Sequence, residues 1–374
     1  MTFHFYLKLD KKPDIDRLRN TFDRILSEHK GMDMKFYRNA WYVSSCKHDC
    51  PVIDIDGPDL NSYTPCRLDY KVSTIDLKVL HALTTDTWYL CFDFFHGAMD
   101  GRSGIQFVYD FFDVLNDRKP LDPEFGKKAS KLINNKGEDE IEKTHDAFTV
   151  FPECEPCHWT IDKNGNNKTV VVSHDGKVGG ISAHFASIIG VMFNQKSAKM
   201  IIPVDIRRHA DEQNQDKAMY GNLFVPMFLE AARCSGWKDI HKEIWAFVKQ
   251  KAHIKSLLKK LDIYSKIPKA IRQRVIKWAV PVVMSCKKFI YCALVSTLGT
   301  IDEQKLLCDD FKVDDYIVTI ASFPFTAFTV ISLQFAGHTN VSISWHSGRV
   351  PDKMVKNLVE NINECIDAEH IKCA

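Results

Sequence analysis

No apolar stretch in this chain reaches the ~18–20 residues that a membrane span requires. The best candidate, Trp278 to Met284, is short and flanked by Lys277 and by Lys287-Lys288. Neither sign of charge dominates: 50 Lys and Arg stand against 48 Asp and Glu, a formal net charge of +2. Global charge therefore points to no partner, and nucleic acid is not expected. The first ten residues lack a basic leader region and are interrupted early by charge, so they do not read as a secretion signal. Reduced thiols in the cytoplasm are the expectation. The twelve cysteines lack regular spacing. Cys46 and Cys50 with His48, or Cys154 and Cys157 with His158, are metal half-sites without a second half, so no metal is expected. A nucleophile elbow is missing too, since Gly101-Arg102-Ser103-Gly104 is not Gly-x-Ser-x-Gly.

What is present is 374 residues, 45% hydrophobic and 26% charged, enough for two domains with substantial cores. The first half reads as a strand at Phe3–Leu9, a helix from Asp14 to His29 with Asp14 as its cap, and strands through Met32–Ser44, Arg67–Ser73 and Leu77–Leu83. A buried strand over 88–95 and a helix over Gly101–Leu115 follow. From Asn116 to Asn167 the pattern collapses into charge runs broken by Pro152, Pro156 and Gly165, a crossover between halves. The second half restarts with a strand at Thr169–Ser173, a helix at Ile181–Phe193, and strands at Lys199–Asp205 and Leu223–Leu229. One or two basic helices come next, then three or four strands between Lys288 and Ser347, and a closing helix at Asp352–Ile366. Strand–helix–strand order in both halves predicts two α+β subdomains, 1–165 and 166–374, with a cleft between them.

The chemistry concentrates in His96-Gly97-Ala98-Met99-Asp100-Gly101. A histidine is delivered at a strand end in a Gly-bounded turn, with an aspartate four residues on. That arrangement presents one imidazole to a cleft as a general base. A turn histidine without chemistry and a His–Asp metal pair are the competing readings, and the latter needs a further ligand. Gly97 leaves room for substrate beside the base. A second signal is Ile201-Ile202-Pro203-Val204-Asp205-Ile206-Arg207-Arg208, an apolar strand ending in Asp-x-Arg, followed by Tyr220-Gly221-Asn222-Leu223. A carboxylate beside the base needs a partner, and a guanidinium gives a bidentate, always-charged one. In Leu294-Val295-Ser296-Thr297-Leu298-Gly299 a hydroxyl could donate to an oxyanion, or the segment is simply a strand ending in a glycine turn.

These segments resemble the chloramphenicol-acetyltransferase-like superfamily. It includes plant BAHD acyltransferases, condensation domains of nonribosomal peptide synthetases, and bacterial alcohol-acetyltransferase-like proteins. His-x-x-x-Asp-Gly resembles its active-site signature, which implies His96, Asp100 and Gly101 as catalytic-motif residues. The segment around Asp205 and Arg207, with Gly221 and Asn222, resembles the Val-Asp-x-Arg…Gly-Asn segments. The resemblance implies that Arg207, rather than Arg208, pairs with Asp100 and locks the halves together. Ser296-Thr297-Leu298-Gly299 resembles the Ser-Asn-Leu-Gly segment, with Thr297 where Asn is usual. Trp41-Tyr42 and Tyr63-Thr64-Pro65-Cys66-Arg67 resemble further segments of the bacterial group. Phe95 stands where many members carry a first histidine, and the start is abbreviated, which implies a reduced acceptor side.

The resemblance covers roughly residues 1–115 and 169–350. It implies two mixed-sheet subdomains in a V-shaped pseudodimer with a central cleft. It further implies acyl transfer from acyl-CoA to a hydroxyl or amine, with no permanent cofactor and a monomeric enzyme. A condensation enzyme using donors on an acidic carrier protein, and a silent binding protein of the same fold, are the alternatives. The stretch from Trp237 to Lys288 holds twelve Lys and two Arg against Asp239, Glu243 and Asp262. A solvated helix face, a landing for coenzyme A phosphates or a carrier protein, and peripheral membrane contact are its three readings, the last least favoured.

Overall fold

Alternation of apolar and polar residues near the start builds the first sheet. In β1 (Thr2–Leu9), Phe3, Phe5, Leu7 and Leu9 enter one core while His4 and Tyr6 face the other side. The computed structural model describes residues 1–121, 123–125, 166–193, 197–209, 218–232, 236–249 and 289–373, apart from residues 30, 38, 39, 45, 46, 64, 66, 67 and 324, together with residues 254, 268, 271, 274 and 278. The expected basic segment beyond residue 249, including Lys255, Lys259 and Lys260, lies outside the described residues apart from these single positions, as does most of the crossover.

Helix α1 (Ile15–Glu28) is capped as expected, Asp14 accepting from the Arg17 amide at 3.1 Å. Its Leu18, Phe22 and Ile25 are buried against the sheet. The strand region expected over Met32–Ser44 is a hairpin, β2 (Met34–Tyr37) and β3 (Ala40–Val43), with Met34 opposite Val43. In the sequence a polar pair, Arg38-Asn39, separates the two strands. β4 (Val52–Ile55) was not expected. The strand expected at Arg67–Ser73 is absent from its described part, Leu68 to Ser73. There the Asp69 carboxylate accepts from the Lys71 amide, and the Asp69 carbonyl accepts from those of Val72 and Ser73, so a local turn takes the hydrogen bonds a ladder would need. β5 (Ile75–Ala82), β6 (Thr87–Phe95), α2 (Gly101–Leu115) and a short β7 (Pro123–Phe125) complete the first half.

The second half runs β8 (Asn167–Asp175), α3 (Ile181–Met192), β9 (Ser197–Asp205), β10 (Ala218–Tyr220), β11 (Phe224–Ala232), α4 (Trp237–Lys249), β12 (Tyr291–Thr300), β13 (Val313–Ile320), β14 (Thr326–Phe335), β15 (His338–His346) and α5 (Asp352–Cys373). A 3-10 turn at Arg207–His209 follows β9. Among the described residues, no helix is long and apolar enough to cross a membrane.

Two mixed sheets result. The first has the order β13-β1-β6-β5-β4, antiparallel except for β4–β5. The second has the order β11-β9-β12-β14-β15-β8, with β12 parallel to both β9 and β14. The sheets do not divide the chain at residue 165. β13, from the second half, pairs with β1 along the register Phe3↔Ile320 to Lys8↔Asp315. It thereby covers an edge that would otherwise be open. Leu298, Ile301, Phe311 and Leu333 join the first core as well. A two-stranded parallel pair, β7 with β10, ties the halves a second time.

Candidate active site

β6 stops at Phe95, whose carbonyl accepts from the Ala98 amide at 2.9 Å and closes the turn. The His96 amide donates to the Met1 carbonyl at 2.9 Å, so the motif turn is pinned to the start of β1. The half-buried His96 ring lies edge-on to Phe3, 5.5 Å between centroids, and 6.2 Å from Phe224 of β11. It therefore sits at the seam of the two halves. Burial lowers its pKa from the ordinary 6.5, and a bond to its own backbone carbonyl, the Asp100 charge and Asn222 oppose this without cancelling it. A Cβ at Gly97 would stand 2.3 Å from Cε1 of the Phe95 ring, so the missing side chain accommodates that ring.

Asp100 is the N-cap of α2, its Oδ1 accepting from the Ser103 amide at 2.9 Å. Arg207 approaches it bidentately, Nη2 to Oδ1 at 2.9 Å and Nη1 to Oδ2 at 3.1 Å. The Leu223 amide donates to Oδ2 at 2.7 Å. Four donors saturate a carboxylate that is only 6% exposed, so Asp100 acts on His96 through charge and position. Asp205 completes the pair, its Oδ1 accepting from Arg207 Nη1 at 2.9 Å and from the Arg207 amide at 3.0 Å. Burial works against the Arg207 charge, but Asp100 and Asp205 outweigh it and raise the pKa. The Arg208 side chain lies outside the described residues.

Residues 221–223 clamp the motif turn. Gly221, at φ +139°, turns its carbonyl to the Asp100 amide (3.2 Å), the Ser103 hydroxyl (2.9 Å) and Arg207 Nη2 (3.3 Å). An L side chain rarely adopts that φ. Asn222 Nδ2 donates to the His96 carbonyl at 2.8 Å. Ser103 is a site residue that motif reading missed. Its hydroxyl accepts from Arg207 Nη2 at 2.7 Å and from the Gly221 amide at 3.0 Å. Its place at the first turn of a helix capped by a motif aspartate was the available signal.

The Ser296-Thr297 segment also reaches α2. A Cβ at Gly101 would lie 2.7 Å from Leu298, and one at Gly299 would lie 3.0 Å from Arg102 Nη2. Gly101 is thus a packing glycine where α2 meets β12. Ser296 is half-buried, and the exposed Thr297 accepts from the Gly299 amide at 3.4 Å.

A second charged cluster lies across β1, β5 and β6. Asp93, 2% exposed, meets His4 Nδ1 at 2.6 Å and the Lys78 ammonium, while Cys91 Sγ lies 3.3 Å from it. His4, Cys91 and Asp93 lie close enough together to hold a metal ion. The Lys78 ammonium already supplies the positive charge there, and a metal ion would have to displace it. In the Cys46–Cys50–His48 segment, His48 has its ring nitrogens on Asp33 (3.2 Å) and Asp76 (3.5 Å); Cys46, Cys154, Cys157 and His158 lie outside the described residues. A separate cavity of about 310 Å³, lined in part by Asp23, Asp33 and His48, shares no residue with the His96 cluster.

No protein-family model matches the sequence, and no curated protein matches it significantly. Solved structures do share its fold. The condensation domain of the monacolin K polyketide synthase MokA matches with a TM-score of 0.63 at 10% identity, over 97% of this chain and 91% of that one. F. sporotrichioides TRI101, solved with coenzyme A and T-2, matches at 0.61 with 11% identity, over 96% and 93%. A mutant starter condensation domain of rhizomide synthetase RzmA, solved with C8-CoA and Leu-SNAC, matches at 0.58 with 9% identity, over 97% and 88%. The chain thus shares the α+β fold of these condensation-domain and TRI101 structures.

Proposed function

We propose that this protein is an acyltransferase that moves an acyl group from a thioester to a hydroxyl or amine, with His96 as the general base. One observation carries the reading. A half-buried imidazole with a lowered pKa stands at the seam of the halves, beside a carboxylate that takes three of its four donors from the opposite half. Such a base is unprotonated at neutral pH. A neutral imidazole carries one ring nitrogen that can accept a proton.

The acceptor's hydroxyl or amine attacks the thioester carbonyl as His96 takes its proton. The tetrahedral intermediate then expels the thiolate, and His96 returns the proton to sulfur. Ser296 or Thr297 is the proposed oxyanion donor, and Gly101 lets their strand pack onto the motif helix. Asp100, Arg207 and Asp205 hold the halves in register, and Gly221 and Asn222 fix the turn. Residues 1–165 and 166–374 serve as the two acyltransferase subdomains, with β13 as the shared strand. The donor is acyl-CoA used as a co-substrate by a monomeric cytoplasmic enzyme, and structural kinship to TRI101 solved with coenzyme A supports that choice.

The kinship to condensation domains supports a second donor, a thioester on a carrier protein. The test is thiol release from a panel of acyl-CoAs with alcohol and amine acceptors, run beside the same acyl groups on a phosphopantetheinylated carrier. Acceptor-dependent release that disappears in His96→Ala supports the proposal. Release with neither donor class sinks it and leaves a binding protein of the same fold.

A further inference from the structure

Residues 220–223 touch the motif turn and α2 at four consecutive positions, and Tyr220 is the one not yet placed. Its ring is buried, and its hydroxyl donates to Asp110 Oδ2 on α2, ten residues beyond Asp100. Asp110 is fully buried. Its other oxygen accepts from Gln106 Nε2 at 2.8 Å, and His29 Nε2 lies 3.0 Å from Oδ2. His29 is the C-cap of α1, and its ring centroid lies 5.8 Å from that of Tyr220. Among the described residues, His29 Nδ1 is buried without a hydrogen-bond partner. The proton therefore sits on Nε2 and is donated to Asp110. The other tautomer would orphan a buried N–H and aim a lone pair at a carboxylate.

An apolar side chain would fill this seam between α1, α2 and β10 without the desolvation cost of a carboxylate. What the carboxylate adds is a fixed direction for Tyr220, whose neighbours grip the catalytic turn. We propose that Asp110 is a positioning residue for His96: through Tyr220 it holds the 221–223 clamp against the motif turn. This rests on the reading of His96 as the general base. Burial, with the Asp110 charge adding to it, raises the Tyr220 pKa well above its ordinary value, so the phenol remains a donor at any working pH.

The experiment titrates His96 by NMR in protein labelled at the histidine Cε1, the signal being assigned by its loss in His96→Ala. In Tyr220→Phe the His96 midpoint should rise toward the ordinary imidazole value, because a loosened turn readmits water to the ring. In the acyl-transfer assay kcat should fall by about tenfold, with KM changed by less than about twofold. Asp110→Leu should act alike, and Asp110→Asn, which retains an acceptor for Tyr220, should lie nearer the wild type. Ile362→Val, a methyl deletion in the second core, should leave the midpoint unmoved. An unchanged midpoint in folded Tyr220→Phe overturns the proposal, and so does a shift in Ile362→Val of the same size. Should no acyl transfer be found in the wild type, a midpoint that still rises in Tyr220→Phe upholds the positioning and places the failure with the assigned reaction.

Discussion

Asp93 and Asp100 lie seven residues apart and are both buried in ion pairs, yet their partners come from different places. Asp93 sits mid-strand in β6, with His4 directly opposite on β1 and Asp76 directly opposite on β5. Its cluster is set by strand register, and the first sheet assembles it from residues of the first half alone. Asp100 sits in a turn, and Arg207 is 107 residues away in sequence. Until the second half docks, Asp100 keeps only its own helix cap. One cluster belongs to sheet formation and the other to assembly of the two halves, so the chemistry proposed for His96 is tied to the second and not to the first.

The largest effect expected is on turnover. His96→Ala should fold normally and lower kcat by ~10²–10⁴. A correctly folded variant that keeps wild-type turnover would show that the seam carries no base and that the comparison has no functional content.

Next come the two aspartates. Asp100→Ala removes the bidentate partner of Arg207 and leaves it Asp205 alone among the described carboxylates, and should cost up to ~3–5 kcal/mol in denaturant unfolding. Asp93→Ala leaves the Lys78 ammonium only Asp76, 3.2 Å away, and takes the partner from buried His4, and should cost up to a similar ~3–5 kcal/mol. Activity per folded molecule separates them: Asp100→Ala should lose it, and Asp93→Ala should keep it. Equal loss in both would break the distinction. Gly221→Ala strikes the same docking cluster more gently. Its φ of +139° should cost about 1–3 kcal/mol, with kcat falling more than the unfolding midpoint alone accounts for.

Much of this contrast was readable in the residues. The motif turn, the Asp14 cap and the β6 and α2 segments follow from patterns local in sequence, whereas a carboxylate's need for a partner called for a cation and only the family resemblance pointed to Arg207. The placement of β13 was not readable, because an edge strand's partner depends on which sheet lacks one and not on its own periodicity. The turn at Asp69 escaped for the opposite reason: local side-chain hydrogen bonds overrode an extended-looking run. Asp93 interrupted an otherwise apolar strand, a visible anomaly whose meaning needed the register of His4 and Lys78. Ser103 and Tyr220 became site residues only when the two halves met.

The smallest effect expected is in pH dependence, and it tests the comparison without stressing the fold. His96 must be neutral to accept a proton, and burial lowers its pKa from 6.5. The rate kcat/KM should therefore be flat through neutrality and fall as pH drops through a value below 6.5, since this profile reports the free enzyme. Linkage has the matching sign. Between the lowered folded pKa and the ordinary unfolded one, the unfolded chain binds more protons, so His96 withdraws stability as pH falls through that window. Asp93 has its own acid response. Burial opposes its charge, but His4 and Lys78 outweigh burial and hold the carboxyl below the usual range. Its contribution is present above the unfolded carboxylate pKa and is lost only as pH falls through the lower folded one. The charges acting on His96 include Asp100 but not Asp93. Asp93→Asn should thus leave the acid limb of kcat/KM where it was, while changing unfolding at strongly acid pH. An acid limb that moves in Asp93→Asn would mean that the two clusters communicate.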